Sequence, residues 1–473
     1  MSVPANPNAS LEAHEQTSRA PVTYLLGSGL IWLLVGLVLS LLASLKLHAP
    51  ECLPFAWAGL GRLQAAASNV LLLGAASQTG LGIALWLLVH LGKTELACWG
   101  SAVIGTVIWN LALTAGVPAL LLGASTGIPG LELPASLGVI LLVGYLLVAG
   151  NGIAAIVTCR RDGYAPAQWF IFGALLWFGW LYGTALVTTL LFPGRGVLNA
   201  LAAGWFSQGL NWLWLAPLAL ASLYHFIPEL TGKALRSPEL APLAFWTLAL
   251  FGGWTAAAGM VGGPLPAWSV SVAVVAGVLL LIPVLLASVN LHVGPTCGPT
   301  ALKFAKLSAW SLTLGGIVQA VTALRCANAV LHFTQFEVAV RELLQFGFVT
   351  GALFAGVYVL VPRLAGRRLP NCGLANAHIG LSVLGLLLLV VAYGIGGWNQ
   401  GWALADAKVD LLSINAALKP WLRLHTAGFA VFLLGQLAFA ANVGLLIASF
   451  VLPAGRALVT EVVTGTSPTA AAK

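Results

Sequence analysis

Charge is the scarcest property of this sequence. Only 7% of its 473 residues are Asp, Glu, Lys or Arg, against 59% hydrophobic residues and a mean hydropathy of +0.96. A water-soluble domain of this size needs a largely polar surface, and too few polar groups are present to make one. Most of the chain must therefore face lipid. Basic patches are missing too. The 21 Lys and Arg are spread over segment ends without interleaved aromatics, which excludes nucleic acid as a partner despite a formal charge of +8. The six cysteines contain no C-x-x-C pair, so neither a zinc site nor a c-type haem attachment is indicated. Cys52 and Cys326 fall on the same side of the membrane, either as a disulfide or as free buried thiols. The first twenty residues carry Glu12 and Glu15 and no basic cluster, which argues for a first span kept as an anchor rather than a cleaved signal.

Long apolar runs are what the sequence has in abundance. A crossing needs about 20 apolar residues, and twelve such runs begin near Thr23, Leu63, Ala97, Ala135, Ala167, Ala203, Leu240, Trp268, Phe304, Glu337, Ala375 and Trp421. This predicts an all-α integral membrane protein with a single twelve-helix domain over 21–452, flanked by tails at 1–20 and 453–473. Only Trp402 to Lys419 is long enough to hold extra structure between spans, and the Thr-, Ala- and Gly-rich end is expected to be disordered. Arg19, Lys93, Arg160, Arg161, Lys233, Arg236, Lys303, Lys306, Arg363, Arg367, Arg368, Arg456 and Lys473 collect on the side of the N-terminus. Lys46, Arg62, Arg195, Arg325, Lys408, Lys419 and Arg423 collect on the other, and Arg341 lies within a span. The positive-inside rule then makes both termini cytoplasmic.

Particular residues carry a family resemblance. Asn328, Ala329, His332, Phe333, Thr334 and Phe336 fall on the pattern N-A-L-S-H-Y-T-D-W-T-I-G-H-V-H. Trp205 and Phe206, followed by Tyr224, Phe226, Ile227 and Pro228, fall on W-Y-G-H and Y-Y-F-I-P-K. Phe245, Trp246, Trp254, Leu265, Pro266 and Trp268 follow the landmarks of a further span without a gap, and Arg62 and Leu63 open the second span as R-L-R-P-L-H opens. From about Thr23 to Phe450 the chain resembles the catalytic subunit I of the C-type (cbb-type) haem-copper oxidases. The resemblance implies the haem-copper oxidase subunit I bundle, haem b and copper as cofactors, cytochrome c oxidase activity and a bacterial cytoplasmic membrane location.

The residues that carry this family's activity are the ones that differ. On the same register the low-spin haem ligand of the second span becomes Ala67, and the copper-binding histidines become Gln208, Ala258 and Gly259. The redox-active tyrosine becomes Gly252, and the two axial histidines of the tenth span become Val340 and Glu342. A methyl group cannot coordinate iron and an amide is a poor copper ligand. The expectation is therefore a degenerate, cofactor-free paralogue with no catalytic or metal-binding residues of its own. Its role would be a structural or assembly subunit of a respiratory complex, beside other membrane subunits such as a catalytic oxidase subunit or a membrane-anchored c-type cytochrome, with lipids around it. Two alternatives stand beside it: an active haem-binding oxidoreductase with substitute ligands, and a proton or ion conduit.

His332, just outside the tenth span, reads as an interfacial residue bonded to a carbonyl or water, and His425, at the mouth of the twelfth, imitates the second-span motif. Both are candidate haem contacts. His90, His225, His292 and His378 lie near span ends, and no pair of them meets the demand of two imidazoles at one depth on facing helices. Glu337 and Arg341 are spaced to pair along one helix face, with Glu342 about 100° away. Such a cluster inside a span must be paired or hydrated, and reads as a space-filling polar network, a proton path through Glu342 or a contact to a partner. The run Val274 to Leu286 is almost purely aliphatic, which disfavours pumping. Phe206, Trp212, Trp214 and Phe346 are bulky enough to fill much of the cofactor space.

Overall fold

The computed structural model describes residues 13–159, 163–190, 196–295 and 297–464. Arg160, Arg161, Arg195, Lys473 and the end of the chain fall outside them, as does the side chain of Arg456. Backbone N–H and C=O groups surrounded by hydrocarbon must be satisfied within the segment. The apolar runs accordingly become helices, and among the described residues no strand occurs. In chain order they are α1 Ala13–His48, α2 Leu60–Gly92, α3 Trp99–Leu121, α4 Ala135–Val157, α5 Pro166–Leu190 and α6 Val197–Thr231. There follow α7 Leu240–Met260, α8 Ala267–Leu291, α9 Thr300–Ala323, the short α10 Arg325–Leu331, α11 Gln335–Ala365, α12 Cys372–Ala405 and α13 Leu411–Thr464. Eleven helices are long and apolar enough to cross a membrane, or twelve when α9 and α10, bent by 96°, count as one span.

The starts at Ala135 and Leu240 agree with the apolar runs, but four helices begin a turn or more early. These are α1 at Ala13, α6 at Val197, α9 at Thr300 and α13 at Leu411, because a helix extends into the polar interface as far as its caps allow, and hydropathy registers only its apolar part. The stretch Trp402 to Lys419, long enough to hold extra structure, is instead mostly helix: α12 runs through Ala405, and α13 resumes at Leu411 after a connection of 406–410. At its other end α13 continues through Thr464, past the expected boundary at 452. The face where α1 begins is called the near face below, and the opposite one the far face.

Three helices carry a wider, π-type turn: Val70–Ala76 in α2, Leu210–Leu215 in α6 and Leu343–Val349 in α11. A π-bulge shifts the helix face and leaves carbonyls short of partners, and such bulges cluster at functional sites. Hydroxyls take up the slack, with Ser77 Oγ donating to Leu72 O and Thr350 Oγ1 to Gln345 O, at 2.7 and 2.8 Å.

The core joins α2 through α6 by aromatic contacts. Trp214 sits between Phe178 and Tyr145, with ring centroids 4.4 and 5.8 Å away, and its indole N–H donates to Ser77 Oγ at 2.7 Å. Phe206, Trp212, Trp214 and Phe346 are all buried, as the bulk argument requires. They fill the interior only in part, because two cavities remain between the helices. Small residues set helix separation inside the chain: a Cβ on Gly347 would press on Ser311, and one on Gly356 on Ile83 and Phe226. All six cysteines are free, so Cys52 and Cys326 form no disulfide; both are exposed rather than buried.

Candidate functional site

One turn of chain decides the first cavity. α9 is followed by a 96° bend into α10, and Phe333 sits at φ +63°, a left-handed conformation costly for a bulky residue. That reversal turns His332 back toward α7. A Cβ on Gly259 would lie 3.2 Å from His332 Cε1, so the imidazole needs the space a side chain at 259 would take. The Nδ1–H of His332 donates to Glu337 at 2.5 Å, a partner beyond the carbonyl or water expected. That bond to the carboxylate raises the imidazole pKa above its ordinary value. Its buried Nε2 turns to the Gly259 backbone, which adds to the same upward shift.

The expected Glu337–Arg341 pair does not form, since Glu337 is taken by His332. Among the described residues Arg341 has no ion pair and no hydrogen bond. It lies on the stripe of α11 formed by Glu337, Val340, Arg341, Leu344 and Gln345, all of which line a cavity of about 250 Å³. The facing walls come from Gln208, Asn211 and Trp212 of α6, Thr255, Ala258 and Gly259 of α7, and Gln319 and Thr322 of α9. Four positions expected from the resemblance as former ligands, Gln208, Ala258, Gly259 and Val340, thus meet in one space. Gly252 stands apart from that lining, its Cα face against Trp212 and Leu213. The regular helix of α7 also stops at Gly252, and Ala258 and Gly259 ride on a short 3₁₀ turn over Ala256–Met260. Paired glycines at 252 and 253 weaken the helix there.

Glu342, the next residue along α11, faces the other way and is buried. Its two carboxylate oxygens accept from His425 Nε2 at 3.0 and 3.1 Å. His425 Nδ1 bonds to Ser44 Oγ at 2.9 Å, Ser44 to Thr426 Oγ1 at 2.8 Å, and Thr426 to His48 Nε2 at 3.0 Å. Tyr393 stacks on the His425 ring, centroids 3.5 Å apart. His425 is 3% exposed and well inside α13, which corrects its placement at the mouth of a span: that placement rested on the long loop that α13 replaces. Both of its ring nitrogens are engaged. Ala67 is buried two residues from Asn69, whose Nδ2 donates at 2.6 Å to Glu132 of the connection between α3 and α4. Burial pushes the Glu132 carboxyl above the usual carboxylate range, opposed by that hydrogen bond. Between α2 and α11 runs an apolar groove of about 390 Å³, lined by Leu71, Leu72, Ala75, Phe346 and Val349 and reaching Arg19 at the near face.

A near-face cluster escaped the sequence reading altogether. Glu15 bonds His90 at 2.5 Å, Glu229 lies 3.2 Å from His225 and pairs with Arg363, and Trp86 stacks on His90 at 4.5 Å. These residues come from four helices, and only the position of each near a span end was legible. His378 is likewise not free, lying 2.9 Å from both Tyr358 OH and Gln436 Oε1.

The donor set can be tested against the metals that the resemblance implies. Copper held by imidazoles needs several of them, and the cavity holds one, His332, together with an amide, a methyl and a bare glycine at the other expected positions. Among the described residues no group of three or more His, Cys, Asp or Glu could hold a metal ion. For the low-spin haem, Ala67 offers no lone pair and Glu342 is committed to His425. The residues present do not fit these groups.

Comparison with known proteins was made on sequence and on fold. Residues 20–431 match the family described as cytochrome c and quinol oxidase polypeptide I. A cytochrome c oxidase subunit 1 homolog of Agrobacterium tumefaciens (strain T37) is 20% identical over 448 residues, covering 89% of this chain and 82% of that protein. The cbb3-type cytochrome c oxidase subunit CcoN1 of Stutzerimonas stutzeri is 21% identical, covering 87% of this chain and 91% of its own. A heme-copper terminal oxidase dimer solved by cryo-EM contains a similar fold, with a TM-score of 0.72 at 15% identity over 93% of this chain and 84% of that one.

Proposed function

Because the chain belongs to the cytochrome c and quinol oxidase polypeptide I family, whose members normally bind haem and copper and work in multi-subunit membrane oxidases, we propose that it is a non-catalytic, cofactor-free member. It acts as a structural or assembly subunit of a membrane electron-transfer complex. The observation that carries this reading is the cavity lining, where Gln208, Ala258, Gly259 and Val340 stand at the expected ligand positions beside a single imidazole, His332, held by Glu337. Space beside Gly259 is held by His332, from the connection between α10 and α11. Glu342 supports it on the other face of α11, since its carboxylate is satisfied by His425. As a multi-pass protein with more cations on the near face, it sits in a bacterial cytoplasmic membrane with both termini inside. Its subunit I-like surface offers a docking face to a catalytic subunit or a membrane-anchored c-type cytochrome.

The test is haem and copper content per polypeptide, measured on the chain purified in detergent, with co-purifying subunits identified in the same sample. Absence of both metals together with stoichiometric membrane partners is the expected result. A stoichiometric haem restores the oxidoreductase reading with substitute ligands. One observation favours a second reading, a proton conduit: the unbroken chain from half-buried His48 through Thr426, Ser44 and His425 to Glu342. Proton flux in sealed vesicles decides it, since flux unchanged by Glu342→Gln removes the conduit.

A further inference from the structure

We infer that the cavity between α6, α7, α9 and α11 is a binding site for a small planar oxyanion, a carboxylate or nitrate-like ion, gripped by Arg341. The inference rests on that cavity being metal-free, as proposed above, and adds a ligand to it. Its walls contain three ionisable residues: Arg341, His332 and Glu337. The acid is committed to the imidazole at 2.5 Å and makes no pair with Arg341. Arg341 is left as a guanidinium without a counter-charge, one of two charges adjacent in sequence within a membrane-length helix. Its neighbour Glu342 is satisfied by His425. Arg341 is exposed rather than buried, on the second turn of α11, and lines the open cavity, where an ionisable residue of a membrane helix turns to a partner or a ligand.

The rest of the wall points to an anion rather than a cation. Gln208, Asn211, Gln319, Thr255 and Thr322 supply amide and hydroxyl donors. No free carboxylate competes. Trp212 and Leu344 close part of the wall with apolar surface, where hydrogen bonds to an anion are strengthened by the low dielectric. Size sets the class: about 250 Å³ admits a few heavy atoms and their waters, not a nucleotide or a lipid chain. The planar fork of arginine pairs bidentately with carboxylate-shaped ions, which lysine cannot do.

The probe is radiolabelled formate, bound by equilibrium dialysis at constant ionic strength to the full-length protein in nanodiscs of zwitterionic lipid, with nitrate as competitor. Expected is one saturable site per chain, displaced by nitrate, weakened about tenfold or more in Arg341→Gln and less in Arg341→Lys. Gln208→Leu on the opposite wall should also weaken it, which keeps the test open if the Arg341 variants fail to fold. Non-saturable binding, binding unchanged in the Arg341 and Gln208 variants, or binding seen only with anionic lipid overturns the inference. Haem and copper are assayed in the same preparation. Metal-free protein that ignores formate fails this inference alone, whereas haem-loaded protein fails the reading beneath it.

Discussion

Arg341 and Glu342 are consecutive residues of α11 that meet opposite surroundings. On the Glu342 side the helix packs into a closed circuit of five polar groups, roofed by Tyr393, in which both ring nitrogens of His425 and both oxygens of Glu342 are used. On the Arg341 side the wall stays open, rich in donors, around about 250 Å³. The difference shows that an ionisable residue in a bundle, buried like Glu342 or exposed to a cavity like Arg341, has two stable outcomes. Either neighbours from other helices complete its hydrogen bonds and the space closes, or the space persists and the charge awaits a partner from outside. Which one applies depends on whether a complementary residue lies at the same depth on a facing helix. α13 supplies His425 to Glu342, and no described helix supplies an acid to Arg341.

Breaking the closed side should cost most. Glu342→Ala, or His425→Ala, leaves its partner buried and uncompensated, and should destabilise the protein by roughly 3–5 kcal/mol in thermal or denaturant unfolding. Replacing both by leucine should recover much of that loss, and a double variant no better than the singles would refute the closed circuit. Next in size is Gly259→His, which drives a side chain into His332 and should cost about 1–3 kcal/mol by overpacking. His332→Ala in the same chain should relieve most of it, the coupling being read by a double-mutant cycle on Tm. Ser44→Ala removes the hydroxyl bonded to His425 Nδ1 and should cost about 1 kcal/mol, a smaller effect than loss of either charged partner.

The smallest effect is a pH dependence on the open side. Hydrogen bonding to Glu337 raises the folded-state pKa of His332, so folding favours its protonated form. The resulting stability is complete below the unfolded imidazole pKa of about 6.5 and is lost as pH rises through the higher folded value. Tm should therefore fall slightly as pH is raised from about 6 toward 9, a slope that Glu337→Gln should flatten. An equal slope in that variant would assign the dependence to other groups.

Much of this architecture is legible without coordinates, for a physical reason. A lipid-facing chain can only be helical, so runs of apolar residues mark the helices and their connections, and Leu240 and Ala135 begin helices where the runs begin. What hydropathy misses is helix beyond the apolar slab. Residues 411 to 420 are too polar to count as a span, yet they are the first turns of α13, and overlooking them put His425 at a span mouth. Spacing also misled at Glu337. An acid four residues before a base fits a helical ion pair, but His332 reaches that acid first, through a left-handed turn at Phe333 that no local pattern announces.

By itself the sequence determined the membrane habitat, the helix count and the family landmarks, because these depend on composition and short-range order along the chain. It also supplied the expectation, on the family's register, that Ala67, Gln208, Ala258, Gly259, Val340 and Glu342 stand where haem and copper ligands would. Only the tertiary structure decided what occupies those surroundings instead. His332 comes to Gly259 across a bend, and His425 comes to Glu342 from a helix 83 positions away in the chain. Contacts of that kind depend on helix depth and rotation, which the packing of the whole bundle sets and no single segment encodes.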